Sequence, residues 1–470
     1  MQRFEIDTRD RLQIALKKAD TTQHIQVGHN AIQGVADMFK QCFPGKRAVV
    51  IADVNTFKAA GKQVQEVLEA QLDMVLPPHV FDVEDMHAEM QHVDALTELL
   101  RSVDAIPVAV GSGTINDLTK LSAYRNHRQY MVVVTAASVD GYTAFGASIT
   151  AGGFKQTFQC PAPRGVLADL DVLSQAPVEM NAWGYADLIA KIPAGADWII
   201  ADALGIEAID SVAWELVQGP LRDMIRDPVG VRSGDGKALC LLIEGLIMSG
   251  LAMQSLGSSR PASGAEHQFS HLWDIEHHTH HGIAPSHGFK VAIGSLSSLA
   301  LYEKVLPMDL QNRNWSLGEI QSRWVSFDQT EKRIRSRYSD ETVAQQIVDQ
   351  VRAKYITAEV LFKRLQQLSA LWPELKPRLE AQVIPFIELK TKLGLVNGPE
   401  KPEDIGIELT RLKDSFEFAR YIRTRYTLLD VAHETDVMET CVSQIFSGGA
   451  YWSSKNQDSH KVLESEDVIF

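Results

Sequence analysis

The chain has 470 residues, of which 45% are hydrophobic and 23% charged; this is a globular balance, long enough for two or three domains, and it excludes a disordered polymer. A net charge of −14, with no Lys/Arg run, excludes a nucleic-acid backbone as the natural partner. Four scattered cysteines (Cys42, Cys160, Cys240 and Cys441) without a CxxC pair fit reduced thiols in a cytoplasmic protein better than a disulfide framework or a zinc–cysteine site.

The first residues are charged (Arg3, Glu5, Asp7, Arg9, Asp10, Arg11) and do not have the pattern of a signal peptide. From residue 47 onward, short apolar runs alternate with amphipathic ones. The runs 47–53, 105–110 and 130–138 predict strands, and 55–71, 87–103 and 114–124 predict helices. That alternation implies a parallel sheet with helices on both faces. Two short β runs around Gly152-Gly153, within 147–160, predict a hairpin. After residue 178 the β pattern fades and helical patterns follow one another, with long charged helices over 316–390. The apolar stretch ALCLLIEGLIMSGLAMQ (238–254) contains Glu244 and two glycines and predicts a buried helix, not membrane insertion. The expected organisation is an α/β Rossmann-like nucleotide-binding domain over 1–177, an α-helical domain over 178–445 and a polar tail over 446–470.

Two features of the α/β part suggest a nucleotide. VAVGSGTINDLTK (108–120) runs a strand through Gly111, Ser112 and Gly113 into a helix whose free N–H groups suit a phosphate. The alternative is a purely structural turn. VVIADVN ends a strand on Asp53, which suits a ribose diol and would favour NAD over NADP; the alternative is a helix cap.

The helical part holds candidate metal ligands. Asp187 lies in an otherwise apolar helix, where a carboxylate must be paired or bound to a cation, and Lys191 at i+4 is the competing partner. His267 and His271 are four apart and share a helix face, and His287 opens another apolar helix. The cluster HHTHH (277–281) has a looser setting and reads as incidental.

Taken in order, GSGTINDLTK, TAASVDGYTAFGAS, GFKQT, GYADLIAK…ADW, GSSRPASGAEHQFSHLW and SHGFKVAIG resemble the sn-glycerol-1-phosphate dehydrogenases, within the superfamily of glycerol dehydrogenases, iron-type alcohol dehydrogenases and 3-dehydroquinate synthases. The resemblance spans roughly residues 25–300, and more loosely to about 430. It implies a dehydroquinate synthase-like fold with the active site in the cleft between an α/β and a helical domain. It also implies NAD(H) or NADP(H), one divalent metal (zinc, nickel or iron), a homo-oligomer, and reversible hydride transfer on a phosphorylated three-carbon substrate. By position, the implied metal ligands are Asp187, His267 and His287. The implied cofactor contacts are Gly111, Ser112, Gly113, Thr114, Asn116 and Asp117 at the turn, and Thr135, Ser138, Thr143 and Lys155 beside the nicotinamide. Asp140 and His271 are candidate proton relays. Arg260, Lys155 and Lys191, with the Ser258 hydroxyl, are candidates for the substrate phosphate. Lys191 therefore has two readings, as partner of Asp187 or as phosphate ligand. The chain departs from the family at Ala137, where a proline is usual, and at Ala186, where a glycine is usual. A polyol or alcohol dehydrogenase on another substrate, or a non-catalytic relative, is the alternative function.

Overall fold

The computed structural model describes residues 12–448 except 14, 18, 84, 85 and 153, together with residues 451 and 452. Six parallel strands form the main sheet: β1 (His24–Gly28), β2 (Ala48–Asp53), β3 (His79–Phe81), β4 (Ile106–Gly111), β5 (Met131–Val134) and β8 (Gly165–Asp169). Their order across the sheet is β1-β8-β5-β4-β2-β3, and an antiparallel hairpin of β6 (Ala147–Ala151) and β7 (Phe154–Phe158) stands apart.

The central strands are continuous apolar runs because helices cover both sheet faces. Successive side chains divide between two cores. Val49, Ile51, Ala109, Val132, Val134 and Val166 face the larger one. Val50, Ala52, Val108, Val110, Met131, Val133 and Leu167 face the smaller one. The larger core continues without a break into the helical region, through Ala182, Tyr185 and Leu246.

From Val178 onward every regular element among the described residues is helical. Six helices matter for the site: α1 (Gly113–Arg125) in the sheet domain, then α2 (Val178–Ile189), α3 (Lys191–Ala203), α4 (Gly236–Leu256), α5 (Ala265–Ile275) and α6 (His287–Val305). Helix α4 contains the apolar stretch singled out above, and it lies inside the protein with most of its residues buried. The charged sequence after 316 forms helices Leu317–Arg323, Phe327–Arg337, Glu341–Lys354 and Ala358–Gln382. In the segment expected as a tail, Tyr451 and Trp452 are buried with their rings against Phe386; residues 453–470 lie outside the described residues.

One segment joins the two halves. Residues 135–146 leave β5, cross to α4 and return to β6. Lys120 on α1 has no exposed side chain and donates to three backbone carbonyls of this segment: Gly141 at 3.0 Å, Ala144 at 2.9 Å and Gly146 at 3.0 Å. On the far side, Thr143 Oγ1 donates to the Ile247 carbonyl at 2.7 Å, and Gln254 Nε2 donates to the Thr143 carbonyl at 2.8 Å. Removing the ammonium would take the donor from the Ala144 and Gly146 carbonyls and leave the Gly141 carbonyl with Asn116 Nδ2 at 3.4 Å. Lys120→Met is expected to cost about 2–4 kcal/mol in urea unfolding, since each unsatisfied buried group carries a penalty. A change of less than about 0.5 kcal/mol would show that the segment is held without it.

Candidate active site

Chain direction reverses across the sheet between β2 and β4: β2 leads outward to β3, whereas β4 leads through α1 to β5 on the other side. Ligands of open α/β sheets sit outside the carboxyl ends of strands at such a switch point. Ile51 pairs with Ala109, so the two strands end level, at Asp53 and Gly111. Both sequence-derived nucleotide candidates therefore flank one crevice.

Asp53 caps its helix: its Oδ1 accepts the Thr56 N–H at 2.8 Å, and Thr56 Oγ1 accepts the Asp53 N–H at 3.0 Å. At the glycine turn, a Cβ on Gly111 would stand 2.5 Å from the Ile115 Cβ, and one on Gly113 would stand 3.2 Å from Val139 Cγ2. Close packing of the turn on itself thus explains Gly111 without a ligand. Ser112, Gly113 and Thr114 are half-buried at the start of α1, where first-turn N–H groups lack intrahelical acceptors.

Asn116 and Asp117 brace the protein itself. Tyr130 Oη donates to Asn116 Oδ1 at 2.9 Å, and Asp117 Oδ2 accepts the Ser148 N–H at 2.9 Å. Thr135 N–H donates to the Gly111 carbonyl at 3.2 Å, and Ser138 Oγ lies 3.1 Å from Tyr142 Oη. Lys155 is in β7 with its backbone paired to Thr150; its side chain lies outside the described residues.

In the helical region, Asp187, His267 and His287 each present one ligand atom, and all three atoms lie within 4.8 Å of one another. They come from three different helices, α2, α5 and the first turn of α6. His267 Nε2 is 3.7 Å from Asp187 Oδ1, and its Nδ1 is 2.8 Å from Oε1 of buried Glu266. A carboxylate at Nδ1 accepts a hydrogen bond from the ring N–H, which keeps the proton on Nδ1 and leaves the Nε2 lone pair facing Asp187, the arrangement a metal-binding histidine needs. One carboxylate and two imidazoles form a mixed O/N donor set suited to zinc, nickel or iron.

Asp187 has no exposed surface. Burial raises its pKa, but Lys191 and then His267 outweigh that, so the carboxyl stays below its ordinary range. Lys191 Nζ is 2.6 Å from Asp187 Oδ1 and 2.8 Å from Asp140 Oδ2. Asp140 in turn donates its N–H to Asp187 Oδ2 at 3.1 Å and accepts from Ser249 Oγ at 2.8 Å. Both readings of Asp187, the ion pair and the ligand cluster, are thus present in one place.

His271 lies one turn beyond His267, its ring 6.1 Å from that of His287 and stacked on it. Burial first, then the charge of Arg423, drives its pKa down to about 3. Arg260 is fully buried, donating to the Asp197 carbonyl at 2.7 Å and the Tyr426 carbonyl at 3.2 Å, while Ser258 Oγ accepts the Arg260 N–H at 3.2 Å.

Sequence reasoning missed Lys120 and Glu266, and also two arginines near the site: Arg423, beside His271, and Arg425, which donates to Ser259 and Ser263. The pair Glu266-His267 carries a local signal, a carboxylate adjoining a candidate ligand. Arg423 and Arg425 carry none, because their neighbours are some 150 residues away along the chain.

Residues 26–177 match the family model for iron-containing alcohol dehydrogenases. The glycerol-1-phosphate dehydrogenase [NAD(P)+] of Geobacillus thermodenitrificans is 31% identical over 424 residues, covering 89% of this chain and 94% of that one. This chain belongs to the glycerol-1-phosphate dehydrogenase family. The enzyme of the same name from Geobacillus stearothermophilus is 30% identical, with 84% of this chain and 88% of that one covered. The fold is shared with glycerol dehydrogenase from Schizosaccharomyces pombe, at a TM-score of 0.57 and 16% identity over 90% of this chain and 91% of that one. The chain combines a parallel-sheet α/β domain with a helical region, and the family is one of oxidoreductases.

The site depends on close approach of α2 to the 135–146 segment. A Cβ on Gly184 would overlap the Ala137 carbonyl oxygen. Gly→Ala inside a helix ordinarily stabilises by up to about 1 kcal/mol. Gly184→Ala is expected to do the reverse, costing about 2 kcal/mol or more by unfolding midpoint, because backbone must move. An increase in stability would contradict the packing described.

Proposed function

We propose that this chain interconverts dihydroxyacetone phosphate and sn-glycerol 1-phosphate, using NAD(H) or NADP(H) and one divalent ion held by Asp187, His267 and His287. The observation that carries the reading is the convergence of those three donors within 4.8 Å, at the segment that links them to the strand-end crevice. The names of the relatives, glycerol-1-phosphate dehydrogenase [NAD(P)+], supply the substrate and cofactor class. When bound, the nicotinamide supplies the hydride and a divalent ion supplies a Lewis acid.

The chain's own residues supply the rest. Asp53 Oδ2, which makes no hydrogen bond among the described residues, accepts from a ribose hydroxyl at the end of β2. The N–H groups of Ser112, Gly113 and Thr114 meet the cofactor's diphosphate at the start of α1. Lys191 balances the charge of Asp187 and Asp140 and keeps its second partner, Asp140, when Asp187 binds a cation. Glu266 fixes the tautomer of His267. Asp140, half-buried and anchored by Ser249, is placed to pass a proton to and from water at the cleft. Burial and the Arg423 charge favour the neutral ring of His271, the form a relay through it would start from. The free, mostly buried cysteines suit a cytoplasmic setting.

The test is NADH or NADPH oxidation by metal-free protein, restored with zinc, nickel or iron, comparing dihydroxyacetone phosphate with dihydroxyacetone. Metal-dependent oxidation with the phosphate is expected, and His267→Ala should lower it by about a hundredfold or more. No oxidation with either compound, despite cofactor binding, would contradict the proposal.

A further inference from the structure

A phosphorylated substrate needs cations beside the reacting centre, and two of the candidates from the sequence, Lys191 and Arg260, are engaged elsewhere. Lys191 is enclosed between Asp140 and Asp187 with no exposed surface. Arg260 is fully buried, spends two guanidinium nitrogens on backbone carbonyls, and lies 3.4 Å from Glu207.

The segment between the short helix Ala419–Tyr421 and the helix Leu428–Glu434 brings in two others. Arg423 Nη2 lies 3.4 Å from His271 Nε2, so one imidazole separates it from the ring of His287. Arg425 Nη1 donates to Ser263 Oγ at 2.7 Å and to the Ser263 carbonyl at 2.8 Å, and its Nη2 donates to Ser259 Oγ at 2.9 Å. Ser259 and Ser263 belong to the segment that leads into α5 and His267. Among the described residues, Arg423 and Arg425 have only neutral hydrogen-bond partners and form no ion pair with a carboxylate. Arg425 is also crowded: burial, then the charges of Arg260 and Arg423, pull its guanidinium down to about 9 against the opposing charges of Glu207 and Glu266. Guanidinium groups gathered beside serine hydroxyls, with no carboxylate paired to them among the described residues, are the donor set a phosphate dianion satisfies, through forked hydrogen bonds.

We propose that Arg423 and Arg425, with the Ser259 hydroxyl, form the subsite for the substrate's phosphate. This rests on the glycerol-phosphate reading above. It sets the direction in which the substrate lies: phosphate on the Arg423 side of His271, and the carbon that changes oxidation state on the side of Asp187, His267 and His287. The carboxyl-terminal helical region, which contributes neither metal ligand nor nucleotide contact, thereby selects for a phosphorylated substrate.

The test pairs kinetics with a binding measurement that needs no turnover. KM for dihydroxyacetone phosphate and calorimetric binding of inorganic phosphate are measured for the wild type, Arg423→Gln, Arg423→Lys and Arg425→Gln. Each glutamine variant is expected to raise KM and weaken phosphate binding by about 10- to 100-fold, the worth of a charge-assisted hydrogen-bonded pair, with Arg423→Lys in between. Arg423 is exposed, so its variants decide the matter even if Arg425→Gln fails to fold. Turnover of the phosphate by the wild type, with KM and phosphate binding in the Arg423 variants unchanged within about twofold, would overturn the subsite and leave the reaction standing. Phosphate binding that Arg423→Gln abolishes, in a protein that reduces no three-carbon phosphate, would support the subsite and remove the reaction. Failure of the wild type to bind phosphate at all would overturn the subsite.

Discussion

A carboxylate with no exposed surface organises this protein. Taking an ion of that kind out of water costs several kcal/mol, and only close counter-charge and well-placed donors offset it. Asp187 has Lys191 one turn away, the Asp140 N–H on its other oxygen and His267 within 4 Å. These partners come from α3, from the segment crossing between the halves, and from α5. Satisfying one side chain therefore fixes the relative placement of three parts of the chain. It also sets the two imidazoles of His267 and His287 beside the same carboxylate.

The crossing segment transmits that constraint to the sheet. Lys120 holds its carbonyls from the α/β side, and Ile247 and Gln254 hold Thr143 from α4. Gly184 and Gly250 let the neighbouring helices come close enough for those bonds: a Cβ on either would strike the segment. Asn116 and Asp117 belong to the same bracing, which is why they turn inward while the first residues of α1 remain at the crevice. The strand-end crevice and the cluster of Asp187, His267 and His287 are thus coupled through hydrogen bonds.

Much of this was legible in the sequence because it has local causes. The alternation of apolar runs located β2, β4, β5 and the hairpin, and Asp187 stood out as a charge in an apolar helix. The edge strands β1 and β3 were not singled out: HIQVG is half polar, and HVF is only three residues long. Nor was β8, a buried five-residue run too short to separate from its surroundings by periodicity. The glycine turn looked like a ligand cradle, yet Gly111 answers first to Ile115, four residues on. Of the candidate phosphate ligands, Lys191 keeps its local partner Asp187 and gains Asp140 by packing, while the partners of Arg260, the Asp197 and Tyr426 carbonyls, are set by tertiary packing alone. The same packing brings Arg423 beside His271 across 152 residues of chain, which no local pattern signals.

The most direct test of the Asp187 junction is metal binding, independent of catalysis. Zinc binding to the full chain is measured by competition with a chromophoric chelator, for the wild type, Glu266→Gln and His287→Ala. The expected result is one site per chain, weakened by about 10- to 100-fold when Glu266 no longer orients His267, and lost in His287→Ala. Undiminished binding in His287→Ala would show that the cluster of Asp187, His267 and His287 is not where this protein holds its metal.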